Sequence, residues 1–241
     1  MAGHSKWANI KHRKGREDAK RAKIFTKLIR EITVAARAGS DLSMNPTLRI
    51  AVDKANQSNM PKDTIKRAIA KGAGLQSGTL MENIRYEGYG PAGIAVWVHC
   101  LTDNKNRTVA EVRHAFSKSG GNLGTEGSVS FQFKHTGIIV INASASEEEI
   151  LELALEAGAD DLINNGSEFE VLTSPENYND VVTALEGKEI IRKELTYLCE
   201  NYTALNEEEA EKVLKLIDML EDLDDVQEVF TNADFSVISD A

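Results

Sequence analysis

At 241 residues, with 41% hydrophobic and 27% charged side chains, the chain can bury more than one core and is too apolar to be disordered. No run approaches the ~18 to 20 apolar residues of a membrane-crossing helix, no apolar stretch follows the cationic N-terminus as a secretory signal requires, and Cys100 and Cys199 are too few for a disulfide framework or a zinc site; a cytoplasmic protein is expected. The net charge of −10 averages two opposed regions: residues 1–80 hold 17 Lys/Arg against 6 Asp/Glu, and residues 81–241 hold 11 against 32.

Met1 to about Arg16 has neither helical nor strand periodicity. Its cations are Lys6, Lys11, Arg13, Lys14 and Arg16, with no acid among them, and His4 and His12 can add partial charge. It reads as a flexible basic arm. A helix is predicted from about Glu17 to Ala38. Phe25, Leu28, Ile29, Ile32, Ala35 and Ala36 share one stripe, while Lys20, Lys23, Lys27, Arg30 and Arg37 gather on the opposite side at ~100° per residue. Arg21 adds to the charge, and Gly39 supplies the stop. Asn45-Pro46 reads as an N-cap with proline at the first helical position, leading into Leu48, Ala51, Val52 and Ala55. Pro61 restarts a third helix, with Ile65, Ala68 and Ile69 inward and Lys62, Lys66, Arg67 and Lys71 outward, before a GAGLQSG linker.

From Glu82 onward the pattern changes to strands. They are expected at Asn83–Glu87, Ile94–Leu101, Val129–Phe133 and Ile138–Ile141, with a helix at Thr108–Lys118. A βαββαβ succession follows: strand 138–141, helix 147–156, strands near 161–164 and 168–172, helix 177–186 and strand 190–197. A last helix at Glu207–Leu220 and a strand at Val226–Phe230 are returned to the earlier ββαβ piece. The fold class expected is α+β: a basic arm and three-helix domain over 1–75, a discontinuous α+β domain over 82–135 plus 205–241, and a ferredoxin-like domain over 137–204 inserted in it.

Several motifs resemble chemistry without its context. Gly88-Tyr89-Gly90-Pro91-Ala92-Gly93 spells G-x-G-x-x-G, but a strand rather than a helix follows, so it reads as a hairpin turn and not a dinucleotide site. Four glycines between Gly120 and Gly127 make a loop that can approach a backbone or phosphate closely, or merely join a helix to a strand. His99 and Cys100 alternate across a strand and cannot cooperate. Asp160-Asp161 and Asp224-Asp225 read as acidic surface before they read as metal ligands. No enzyme, cofactor, metal or small-molecule substrate is expected.

The basic module carries the functional signal. Lysine and arginine bind phosphates through counterion release, and Trp7 can stack on an unpaired base. The expected contacts are Lys6, Trp7, Lys11, His12, Arg13, Lys14, Arg16, Lys20, Arg21, Lys23, Lys27, Arg30, Lys62, Lys66 and Arg67. The competing reading is intramolecular: the basic domain docks on its acidic companions. No helix-turn-helix or zinc-finger signature is present to read bases.

The segments MAGHSKWANIKHRKGREDAKRAKIFTKLIREI, NPTLRIAVDKANQSNMPKDTIKRAIAKGAG, YEGYGPAGIAV, NRTVAEVRHAFSKSGGNLGTEGSVSFQF and DDVQEVFTNAD resemble the YebC/PmpR family. The resemblance spans Met1 to Asp234. Ala22 and Ala92 stand where the family favours glycine, and Gly15 where it favours alanine. It implies three domains, one inserted in another, and a role in gene expression without catalysis. Bacterial members resemble DNA-binding transcriptional regulators. Others are ribosome-associated factors that aid translation through proline-rich stretches, and mitochondrial members activate translation of a cytochrome oxidase subunit. The partner implied is therefore nucleic acid, either DNA or ribosomal RNA, and no membrane.

Overall fold

The computed structural model describes residues 18–74, 81–144 and 146–238. The chain forms two compact units, one made of residues 1–131 with 201–241 and the other of 132–200.

The first unit begins with three helices. Helix α1 (Asp18–Ala35) runs into a single 3-10 turn, Ala36–Ala38, which Gly39 ends. Helix α2 (Pro46–Gln57) starts as its sequence predicts. The Asn45 side chain accepts from the Leu48 amide at 3.0 Å, and its amide group donates back to Ala35 and Gly39 carbonyls at 2.8 and 2.7 Å. One buried asparagine thus caps one helix and satisfies the end of another. Helix α3 (Lys62–Gly74) packs against α1 so closely that a Cβ on Gly72 would sit 2.3 Å from the Thr33 carbonyl. Leu28, Ile32, Leu48, Ala51, Ile65 and Ala68 form the shared core, and Phe25, Ile29 and Ile69 pack on its margin, as the periodicity predicts.

The rest of this unit is a sheet with helices on one face. Strands β1 (Glu82–Tyr89) and β2 (Ala95–Thr102) make an antiparallel hairpin across a turn at Pro91–Gly93. After α4 (Lys105–Lys118), the two-residue β3 (Asn122–Leu123) lies against β1. The second unit is interposed here. The chain then returns through β8 (Thr203–Ala204), α7 (Glu207–Glu221), β9 (Val226–Thr231) and β10 (Ala233–Asp234). The sheet order is β3-β1-β2-β9, with β8 and β10 paired separately. Val96, Val98 and Cys100 of β2 face Val112 and Phe116 of α4 and Leu216 of α7 in one core. The alternate residues Trp97 and His99 join Phe230 on the opposite face, with ring centroids 4.6 and 5.0 Å apart along the cluster.

The predicted strand at Val129–Phe133 is a correction. Ser130–Gln132 form a 3-10 turn, and the strand begins only at Phe133. The cause lies in β1, where the buried Glu87 carboxylate accepts the amides of Gly127, Val129 and Ser130 at 2.9, 2.7 and 2.8 Å. Those amides are drawn away from any ladder.

The second unit carries β4 (Phe133–Asn142), α5 (Glu147–Glu156), β5 (Ala159–Asn164), β6 (Glu168–Thr173), α6 (Tyr178–Ala184) and β7 (Ile190–Cys199). Its sheet is antiparallel in the order β5-β6-β4-β7, the split-βαβ arrangement of a ferredoxin-like fold. Ile139, Ile141 and Val171 pack against Ile150 of α5 and Val181 of α6. The register pairs Phe133 with Cys199, so the unit's two ends lie side by side.

Candidate nucleic-acid interface

The cations of α1 divide from those of α3. On α1, residues 23, 27 and 30 recur at helical spacing and meet the C-terminal end of α7 with the acidic turn after it. Lys23 Nζ lies 2.8 Å from Asp222 Oδ1 and 3.3 Å from that residue's carbonyl. Lys27 Nζ donates to the Glu221 carbonyl at 2.7 Å. Arg30 Nη1 reaches the Asp224 and Leu101 carbonyls at 2.9 and 3.2 Å, and Asp225 Oδ1 at 3.2 Å. A helix C-terminus leaves carbonyls without partners and carries partial negative charge, so three cations there are electrostatically well placed. Lys23, Lys27 and Arg30, three of the cations expected on the outer face of this helix, thus have acceptors within their own unit. They take the intramolecular course that the opposed charges of the two regions also allowed.

Asp225 anchors this junction. Its side chain is buried, and Oδ2 accepts from Arg107 at 2.7 Å, Thr108 at 2.8 Å and Thr102 at 3.0 Å. Burial pushes the carboxyl up, but hydrogen bonds from Arg107, Thr108 and Thr102 outweigh it and hold the group below the usual aspartate range. Nearby, Lys54 of α2 bridges Glu31 of α1 and Glu228 of β9 at 3.4 and 3.1 Å. Glu228 is the cross-strand partner of His99, so this bridge falls on the face that carries Trp97 and His99. Burial raises Glu31 despite Lys54; for Lys54, burial acts downward and the two carboxylates prevail, raising it.

On α3, Lys62, Lys66, Arg67 and Lys71 are all exposed, while Ile65, Ala68 and Gly72 fill the buried side. Among the described residues Arg67 bonds along its own helix, to the Asp63 carbonyl and Thr64. Asp63, in the first turn, is the sole acid of this helix and sits where the helix dipole favours it. Lys6, Trp7, Lys11, His12, Arg13, Lys14 and Arg16 lie outside the described residues, as do the side chains of Lys20 and Arg21 and the linker at 75–80.

The other candidates have local explanations. From the Gly120–Gly127 loop the Gly127 amide does meet an anion, the Glu87 carboxylate, to which Val129 and Ser130 just beyond the loop also donate. Burial raises that carboxyl and three backbone donors outweigh it, leaving it below the ordinary glutamate value. The G-x-G-x-x-G stretch is a hairpin turn with Ala92 at φ 56°. Among the described residues no group of three His, Cys, Asp or Glu side chains is placed to hold a metal, and no helix is long and apolar enough to cross a membrane. Arg107, Lys54 and Glu87 were not legible as organising residues. Their partners lie 118, 174 and 40 positions away.

Comparison with known proteins places this architecture. Residues 5–75 match the model of the TACO1/YebC protein N-terminal domain, and residues 81–233 that of the TACO1/YebC second and third domain. A probable transcriptional regulatory protein of Dichelobacter nodosus is 57% identical over 238 residues, covering 98% of both chains. One from Legionella pneumophila is 56% identical, over 98% of this chain and 97% of its own. The crystal structure of a conserved hypothetical protein, Aq1575, from Aquifex aeolicus superposes with a TM-score of 0.77 at 47% identity, covering 90% of this chain and 91% of that one. With matched models over nearly its whole length and relatives this similar, the chain belongs to the TACO1/YebC family.

Proposed function

We propose that this protein is a non-enzymatic regulator of gene expression that binds DNA through the outer face of α3 together with the basic arm. The single observation that carries the reading is the exposed set Lys62, Lys66, Arg67 and Lys71 on one short helix, in a chain whose net charge is otherwise strongly negative. Near physiological salt the screening length is ~8 Å, so a phosphate chain responds to this local patch rather than to the distant carboxylates. The names of the relatives, probable transcriptional regulatory proteins, support the regulatory role. Such contacts supply affinity and register, and base preference must come from elsewhere in the complex.

The test joins a solution measurement to one in cells. Replacing Lys62, Lys66 and Lys71 by glutamate is expected to weaken binding of a labelled DNA duplex at least tenfold and to lower the salt slope by roughly 2 to 3. Crosslinking in cells, with sequencing of both attached DNA and attached RNA, is expected to recover discrete promoter segments. Recovery of ribosomal RNA without promoter DNA defeats the DNA assignment in favour of a translation factor. Unchanged affinity in the triple variant removes α3 from the interface.

A further inference from the structure

The fold supplies what the sequence does not announce, a helix-turn-helix arrangement of α2 and α3. Four residues, 58–61, join Gln57 to Lys62. Asn59 takes the left-handed conformation at φ 55°, and the Asn59 and Met60 amides donate to the Asn56 and Ala55 carbonyls at 2.9 and 3.0 Å. This closes the end of α2, turns the chain sharply and buries Met60 in the bundle core. Each helix packs along α1 far more than on the other, so the two diverge from the turn and α1 backs both.

The exposed side of α3 is ordered as well as basic. At ~100° per residue, Asp63, Lys66, Arg67 and Ala70 occupy the middle of the solvent arc, with Lys62 on one margin and Lys71 on the other. The two marginal lysines stand ~14 Å apart along the helix axis. Arg67 donates to the Asp63 carbonyl and Thr64 Oγ1 at 3.2 Å each, contacts on an exposed surface that a base edge can replace. Asp63 is the informative residue. A carboxylate amid these cations weakens affinity for every polyanion alike, so a face that serves charge alone gains nothing from it.

We propose that α3 enters the major groove of duplex DNA, with Lys62 and Lys71 on phosphates of the two groove walls and Asp63, Lys66, Arg67 and Ala70 toward the base edges. The inference rests on the α3 reading above and adds sequence selection to it. The major groove, ~12 Å wide, admits a helix of ~10 to 12 Å diameter, whereas that of A-form RNA is too narrow. Within it, arginine and lysine match the acceptors of guanine, a carboxylate accepts from the cytosine amino group, and an alanine methyl meets the thymine methyl. Phosphate contacts on the margins then set the register in which the central side chains read.

The experiment offers the full chain a library of DNA duplexes randomised over a short central window and sequences those retained. The native chain is expected to enrich a motif with a guanine that Arg67→Ala no longer selects, a loss of roughly five- to a hundredfold in discrimination at that position. It is likewise expected to enrich a cytosine that Asp63→Ala no longer selects. An acid in the first turn also suits the helix dipole; if that were its whole role, Asp63→Ala would tighten binding to all duplexes and leave the motif intact. Lys62→Ala combined with Lys71→Ala is expected to weaken all duplexes alike, lower the salt slope by roughly 2 and keep the motif. Absence of an enriched motif, or a motif that either the Arg67 or the Asp63 variant retains unchanged, overturns base reading by α3, while weakened binding in the paired lysine variant still supports α3 as the interface. A paired lysine variant that binds as the native chain does defeats both.

Discussion

Single residues show where this chain departs from the least strained choice. Ala92 holds a left-handed conformation, φ 56° and ψ 16°, at an exposed turn position. A Cβ there costs on the order of 1 kcal/mol. Ala92→Gly is expected to stabilise the protein by about 0.5 to 1 kcal/mol, less the entropy glycine adds to the unfolded chain, read as a higher urea midpoint at an unchanged m-value. Glu87 is the opposite case, a buried charge made favourable by its donors. Its carboxyl titrates lower in the folded state than in the unfolded one, so its contribution is complete above the unfolded value near ~4.3 and is lost as pH falls through the folded value. Glu87→Gln is expected to cost about 1 to 3 kcal/mol at neutral pH. Denaturation at pH 7, 5 and ~3 is expected to show the gap between native and variant narrowing only at the acid end.

At the scale of elements, the interiors were legible and the polar faces were not. Stripes such as Leu28, Ile32 and Ala36, or Leu48, Ala51 and Ala55, announce themselves because burial obeys the helix repeat within a few residues. The destination of Lys23 and Lys27 depends on acids 199 and 194 positions later, and no local rule links them. Residues 129–133 have strand composition, yet Glu87 takes their amides first, a tertiary hydrogen bond prevailing over propensity. Gly72 makes the same point for packing. Its place near the end of α3 reads as a helix stop, whereas it is the contact that lets α3 approach α1. Gly72→Ala is therefore expected to destabilise the helical bundle by about 1 to 3 kcal/mol. Gly74→Ala, with nothing within 4 Å of the added carbon among the described residues, is expected to be neutral or slightly stabilising. Thermal unfolding of the two variants side by side decides it, and equal losses would remove the close-approach argument.

At the scale of the molecule, the second unit enters and leaves through adjacent residues, since Phe133 pairs with Cys199. Its order, β5-β6-β4-β7 with two helices over Ile139 and Val171, needs no strand from outside. The fragment 132–200 is expected to unfold cooperatively on its own. The remainder, rejoined by a short glycine linker, is expected to keep its helical and sheet content by circular dichroism. A fragment without a cooperative transition would show that the unit depends on the rest of the chain.

The position of α7 and β9 in the sequence has a kinetic consequence. During synthesis the helical bundle and then the interposed unit are complete while β2 still lacks its β9 neighbour and the core around Val96 and Phe116 still lacks Leu216, Val229 and Phe235. Closing that core needs pairing between Val96 and Thr231, 135 positions apart in the sequence, the kind of distant contact that slows folding. Until the last forty or so residues emerge, a half-covered apolar sheet is exposed to solvent, and this nascent stage is where chaperone dependence and aggregation should concentrate.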